Sequence, residues 1–334
     1  MRTARSLPVV YAVLVAAVAG SLLLALGLGS QRLPVGDVLA VLLGRSEGVP
    51  GDIVLGLRLP RALAALSCGA LLALAGALLQ ALLRNPLADP YVLGISGGAS
   101  VGALLALWAG TAWWWVSAGA SIGALVATAL VFLLGAQAFR RHADSTSASV
   151  QLLLVGVIVG AGFGATVAFI LSVAPESQLR GMVFWLLGDL NGAEQFGLPL
   201  AGAGVLLLAA LVLARDLNLM LLGDGPAYAL GVDVRRVRIA IVVLASLAAG
   251  LAITVAGSIG FVGLVVPHAL RLLLGNDQRL LLPACALGGG AFLVVADTLA
   301  RTLLAPTQLP VGVLTAFIGE PTFLWLLLRH ARGA

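Results

Sequence analysis

The stretch Leu82–Ala103, LLRNPLADPYVLGISGGASVGA, decides how the chain must be read. Residues 62–83, just before most of it, carry no charged side chain. An arginine, an aspartate and two prolines follow, then a run of glycines, and the chain turns apolar again. A glycine run of this kind has two readings: a loop that cradles phosphate, or the thin face of a closely packed helix. A Walker-type cradle needs a lysine after its glycines and a strand before them. Here the glycines follow an Asp-Pro turn, and all 19 basic residues are arginine. The cradle is excluded, and so is a lysine Schiff base. Arg84, Asn85 and Pro86 instead end one helix. Asp89 and Pro90 start the next, with proline in its first turn. Gly94, Gly97, Gly98 and Ser100 give that helix a face for close approach.

Composition sets the solvent. Hydrophobic residues make up 61% of the chain and charged ones 10%, with mean hydropathy +1.11. A soluble domain carries about 25% charge, so this is a polytopic membrane protein. The apolar runs are continuous rather than alternating, which excludes a barrel. Cys68 and Cys285 lie in separate apolar spans and read as small buried residues, not as a disulfide or zinc ligands. The run after Arg2 and Arg5 is too long for a signal-peptide core and ends without a small-x-small cleavage site, so it reads as a retained helix.

Ten spans can be drawn, at about residues 8–29, 58–82, 91–109, 115–139, 150–173, 197–215, 238–256, 258–274, 280–304 and 310–328. The seventh and eighth are separated only by AGSIG, a glycine break within one membrane region. Between the fifth and sixth, Gln178–Leu187 reads as a short amphipathic helix lying near one face. With both termini in the cytoplasm, Arg32, Arg45, Arg58, Arg61, Arg180 and Arg301 fall outside. The other thirteen of the 19 arginines fall inside, as the positive-inside rule requires. The 42 glycines, including those of GVIVGAGFG (Gly156–Gly164) and ALGGGA (Ala286–Ala291), predict a tight bundle, because backbone approach drives helix association in lipid.

In the polar segment 216–238, Asp224 can cap a helix, Pro226 suits its first turn and Gly231 its end. These predict a short helix over Pro226–Leu230, followed by Arg235, Arg236 and Arg238. Arg301 stands four residues after Asp297 and can pair with it on one helix face. Glu320 lies near the middle of the last span. An ionised group there costs at least ~2.5–3.5 kcal/mol unless it faces water or a partner, which makes it a pathway candidate. His268, after a proline kink, reads as structural because no second ligand is spaced with it. His142 and His330 stand beside arginines in solvated segments.

Several long stretches, in order, carry a resemblance. RLPRALAALSCGALLALAGALLQALLRNPLADPYVLGISGGAS (Arg58–Ser100), FWLLGDL, YALGVDVRRVR and the run from AGSIGFVGLVVPHALRLLLGNDQR to GEPTFLWLLL resemble the permease family of bacterial ABC importers for iron chelates and cobalamin. The likeness covers essentially the whole chain from about residue 10. It implies an all-α membrane protein of ten transmembrane helices with type II ABC importer permease architecture, forming one permease domain over residues 1–334. It also implies a homodimer with two ATP-binding subunits and a periplasmic or lipid-anchored substrate-binding protein. Neither nucleic acid nor any cofactor in this chain is implied, ATP and magnesium belonging to the partner subunit.

Site by site, the resemblance makes the segment with Asp224, Pro226, Leu230, Gly231, Arg235 and Arg236 the coupling helix against the ATPase. Arg58, Arg61 and Arg301 become the docking points for glutamates of the binding protein. Asn85 and Leu87, with Thr146 and Ser147, become the cytoplasmic gate, whose residues also suit plain turns. The helix at Gln178–Leu187 becomes the outer gate, where Arg180 can meet an anionic substrate. Glu320 departs from the family, which carries a small or neutral residue there. The cargo reads as haem or a ferric siderophore, with cobalamin the alternative. An ion-coupled secondary transporter is the rival class, and its only candidate sites are Glu320 and the break at Gly257–Gly260. A membrane enzyme would need an acid–base or ligand cluster that the sequence lacks.

Overall fold

The computed structural model describes residues 7–29, 31–45, 48–141, 145–193 and 195–331. The described residues are helical and contain no strand. In chain order the helices are α1 (Leu7–Gly27), α2 (Val35–Leu42), α3 (Val49–Leu83), α4 (Ile95–Trp108), α5 (Trp113–Arg141), α6 (Ser145–Val173), α7 (Glu176–Leu186), α8 (Gly197–Val212), α9 (Ala214–Met220), α10 (Asp224–Ala229), α11 (Val234–Ala256), α12 (Val262–Leu274), α13 (Gln278–Thr302) and α14 (Val311–Ala331).

Each of the ten expected spans carries a helix, but not each helix is long enough alone to cross a bilayer. Among the described residues six pass on length and hydropathy: α1, α3, α5, α6, α11 and α13. A seventh arises if α8 and α9, bent by 54°, count as one span. Helices α4 and α12, and the stretch Val311–Trp325 of α14, are shorter apolar helices. Arg2, Arg5, His142 and Arg332 lie outside the described residues.

Helix α3 is the axis. Within its most apolar window 89% of residues are buried, against 11% in α6, so α3 is wrapped by the other helices while α6 stands at the margin. The seam residues explain how. A Cβ on Gly69 would lie 2.2 Å from the carbonyl oxygen of Gly289 in α13, and one on Gly76 1.9 Å from that of Gly263 in α12. Gly98 and Gly102 of α4 meet Gly123 and Gly119 of α5 in the same way. Backbones touch because lipid offers no solvent force to bring bulkier faces together. Of the Gly156–Gly164 run, Gly162 and Gly164 meet nothing in this chain. The thin face expected there is not used within the chain at those two positions.

The third span begins differently from the sequence expectation. Asp89 caps a 3-10 turn, Pro90–Leu93, and Gly94 (φ 72°) separates it from α4. Pro90 packs beside Gly263, itself against α3 near Gly76. The chain therefore climbs roughly 10 Å back from the end of α3, at 1.5 Å per helical residue, before α4 starts.

The glycine break after α11 is present. Gly257 (φ 66°) ends α11 and Phe261 (φ 69°) leads into α12. Irregular backbone at membrane depth must find partners inside the protein. Tyr91 Oη accepts from the Ile259 amide at 2.9 Å, the Asp189 amide donates to Ala256 O at 2.9 Å, and the Ser96 and Ser258 hydroxyls pair at 2.9 Å.

Gly76→Val is expected to abolish monodisperse protein in detergent, since the clash is with backbone and cannot relax. Gly20→Val, where a Cβ meets nothing within 4 Å, is expected to keep the wild-type elution profile and melting temperature. Size-exclusion chromatography and a thermal melt check both. Equal behaviour of the two variants would refute the packing model.

Candidate functional site

Two polar clusters stand at opposite ends of α3. Arg61 and Arg84 are 23 positions apart in that helix, a rise of about 34 Å. That matches the thickness of a bilayer's apolar core, so each cluster sits at one membrane boundary.

At the Arg61 end, the arginines expected to reach water are buried and engaged inside the chain. Arg61, 8% exposed, grips Asp297, 1% exposed, through Nη2 at 2.8 Å and Nε at 3.0 Å. Its Nη1 donates to Gln308 at 3.0 Å and Asn191 at 3.4 Å. Arg301 pairs with the other carboxylate oxygen of Asp297 at 3.1 Å, as the i,i+4 spacing predicts, and reaches Ala25 O at 3.3 Å. Arg58 donates to the carbonyls of Leu26, at 2.6 Å, and Gly27 and Gln31. Its position follows from a π-helical stretch, Asp52–Arg58, at the head of α3. Together they tie α1, α3, α13 and the 188–193 loop into one clamp. Burial raises the Asp189 carboxyl above its ordinary pKa, a hydrogen bond from the Asn191 amide and nearby Arg61 opposing the shift. A cleft opens at this end, lined by Arg58, Arg61, Arg301, Asn191 and Gln308.

Helix α7 lies beside this clamp and covers Glu176–Leu186, close to the expected 178–187. It buries Met182 and Trp185, and its end is held where Gly188 and Gly312 meet the α11 break. Arg180 is exposed, with its guanidinium 5.6 Å from the Phe184 ring centroid.

At the Arg84 end, the short helix falls at Asp224–Ala229 rather than Pro226–Leu230, and Gly223, not Asp224, is its N-cap. The Asp224 carboxylate is spent elsewhere. It binds Arg84 Nη2 at 2.7 Å and also Arg238. Arg84, which closes α3 with φ 48°, also donates to Met220 O at 2.7 Å. Gly231 (φ 84°) follows the helix end, as its sequence suggests. The helix presents its outer surface: Tyr228 is 78% exposed, and Pro226, Leu230, Arg235 and Arg236 are exposed too. Arg236 pairs locally with Asp233 at 2.9 Å. Beside Arg84, Asn85 Oδ1 accepts from the Leu87 amide at 2.9 Å, shaping a tight turn that leaves Leu87 exposed.

Thr146 and Ser147 fall in the first turn of α6, and their side chains lie outside the described ones, as does that of His330. His268 is buried with its ring edge-on to Phe323 at 5.9 Å. Glu320 lies on an exposed face of α14 with Phe317 and Leu324. Among the described residues, no three His, Cys, Asp or Glu side chains are placed to hold a metal ion. Sequence reasoning missed the Arg61–Asp297 and Arg84–Asp224 pairs, which join residues 236 and 140 positions apart. Its only signal was charge at the ends of apolar spans.

Comparison with known proteins agrees with this layout. The family model described as the FecCD transport family matches residues 15–329. The hemin transport system permease HmuU of Yersinia pestis is 42% identical over 292 residues, 83% of this chain and 84% of that one. The vitamin B12 import permease BtuC of Vibrio cholerae is 43% identical over 280 residues, 84% and 83% of the two chains. A solved ABC transporter in an inward-facing conformation superposes with a TM-score of 0.83 at 30% identity, over 97% of this chain and 99% of that one. With helices built to span a bilayer and matches across nearly its whole length, the chain belongs to the FecCD transport family and is a multi-pass transmembrane permease of the ABC type.

Proposed function

We propose that this chain is the translocation subunit of an ATP-driven importer that carries an iron chelate, haem or a ferric siderophore, across the inner membrane. The observation that carries the reading is the Arg84 end. A short helix with an exposed outer face is bound by one aspartate to the end of the central helix and to the start of α11. A partner that pushes α10 therefore pulls directly on the turn that holds Asn85 and Leu87. In this reading α10, with Pro226, Leu230, Gly231, Arg235 and Arg236, receives a separate ATPase subunit, and the Asn85–Leu87 turn with Thr146 and Ser147 is the inner gate. Helix α7 with Arg180 is the outer gate.

The proposed assembly is a homodimer with two ATPase subunits and a periplasmic or lipid-anchored binding protein, its path along the two-fold axis past Glu320. Ten crossings in one domain over residues 1–334, with both termini in the cytoplasm, fit the arginine partition. The short helices α4 and α12 then complete their crossings with the climbing segment before α4 and the break after α11. At the Arg61 end, three arginines against Asp297 and Asp189 leave an excess positive charge beneath the cleft. That charge supports docking of acidic side chains, by field more than by direct contact, because the guanidinium groups are already engaged. The B12 permease relative favours cobalamin as the second reading.

Proteoliposomes test the function. With the ATPase and binding protein, uptake of haem or ferric siderophore should require ATP. Uptake by the chain alone along an ion gradient would refute the reading, and uptake of cobalamin alone would select the second one. The absorption spectrum of the co-purified binding protein separates haem from cobalamin independently.

Asp224→Asn is expected to leave the ATPase complex assembled but lower transport-linked ATP turnover by roughly tenfold, the scale of one charge-assisted hydrogen bond. Wild-type coupling in that variant would refute the link.

Arg61→Ala should destabilise the chain by about 3–5 kcal/mol, because it strips a buried aspartate of its main partner. Adding Asp297→Ala should restore part of that loss in a thermal melt, the signature of a direct pair.

A further inference from the structure

A second cleft opens at the Arg84 end. It is lined by Gln80, Arg84, Asn85, His268, Arg271 and Asn276, and among the described residues no acidic side chain lines it. Arg271 differs from five other arginines of the two clusters. Arg61, Arg84, Arg236, Arg238 and Arg301 each pair with an aspartate. Arg271 has no such partner among the described residues. Its Nη1 donates to Gln80 Oε1 at 2.9 Å. The Gln80 amide in turn donates to the carbonyls of Gly263 and Leu264, both at 3.2 Å. Gln80 is buried, so the guanidinium is held from behind by a fixed residue. Its Nη2 is buried and has no hydrogen-bond partner among the described residues.

Arg271 as a whole is only half-buried and lines the cleft, so an anion there reaches the guanidinium, and a charge-assisted partner offsets the cost of holding that cation partly out of water. The surroundings say which kind. Leu272 and Leu273, next in sequence, are exposed apolar side chains at the end of α12. Cation and apolar surface lie side by side at a membrane boundary, the layout that receives a phosphate headgroup with its acyl chains alongside. Asn85 and Asn276 add amide groups to the lining.

We infer that this cleft is an anion site in which Arg271 binds a phosphate group, that of an anionic phospholipid from the adjoining leaflet. Its occupant lies against the turn that starts at Arg84, so lipid charge acts on that turn. The inference does not depend on which cargo is carried.

Native mass spectrometry of the full chain, purified in detergent and mixed with phosphatidylglycerol or phosphatidylcholine, tests it. Phosphatidylglycerol should be retained over phosphatidylcholine by about tenfold, the factor one charge-assisted hydrogen bond carries. Arg271→Gln should erase that preference. Asn276→Asp, which sets a carboxylate on the exposed rim and leaves Arg271 intact, should lower it as well and carries the test if Arg271→Gln does not fold. Displacement of phosphatidylglycerol by millimolar inorganic phosphate, with a thermal shift seen in wild type only, would uphold the anion site and overturn the lipid as its source. Equal retention of the two lipids, or an unchanged preference in a monodisperse variant, would overturn the site.

Discussion

Contact of helix backbones through glycine is the constraint on which the rest depends. Inside a bilayer, apolar side chains gain little by leaving lipid for one another, so helices associate where their backbones can touch. The seams also set register. Gly69 stands eight residues after Arg61, and Gly289 stands eight before Asp297 on an antiparallel helix. Pinning Gly69 against Gly289 therefore brings Arg61 level with Asp297, about 12 Å further along. On the other seam, Gly76 precedes Arg84 by eight residues and Gly263 precedes Arg271 by eight. Helices α3 and α12 run in the same sense, so both arginines reach the same boundary. Polar clusters 34 Å or so apart thus follow from two pairs of glycines in the bundle's interior.

This register explains what the sequence could and could not convey. Hydropathy reports which segments prefer lipid, and all ten expected segments do carry helices. Glycine with its tolerance of positive φ marked the break at Gly257 and the stop at Gly231. Local spacing predicted the Asp297–Arg301 pair, because i,i+4 neighbours share a helix face. What failed was everything set by tertiary partners. Asp224 looked like a cap because aspartate commonly caps. Two arginines, one of them 140 positions away, compete better for its carboxylate, and Gly223 takes the cap. Arg58 and Arg61 fall on the outer side, at the end of an apolar run, with nothing in the sequence to show that they turn into the chain. Only the fold supplies the carbonyls of α1 and the carboxylate of α13 that draw them inward. The start of α4 was misjudged for a related reason. The climb of Pro90 toward Gly263 depends on a neighbour more than 170 residues later.

The two clusters differ in a way that suits a switching bundle. At the Arg61 end the Asp297 carboxylate is buried among two guanidinium groups, and breaking the cluster exposes an uncompensated charge. Such a cluster moves as a block. At the Arg84 end the Asp224–Arg84 pair is partly solvated, its side chains 19% and 34% exposed. Water can replace either partner at modest loss, so the pair can rearrange while α10 shifts. In the proposed importer, where packed helices move as rigid bodies, this distribution of burial leaves the Arg61 end the stiffer of the two and the Arg84 end the more yielding.

Helix α14 adds the last element. Glu320 sits on an exposed face of this chain, near the middle of an apolar helix, flanked by Phe317 and Leu324. Pro321 follows it and has no N–H to give to the Phe317 carbonyl. An acid and an under-bonded carbonyl thus share one stretch. Facing lipid, the ionised acid alone would cost at least ~2.5–3.5 kcal/mol, and the carbonyl would add to it. Facing a second copy across a hydrated path, both groups keep water or a polar partner. Among the described residues this uncovered stretch is one for which lipid is a poor neighbour. The proposed two-fold path therefore belongs along α14 rather than along the wholly apolar outer face of α1.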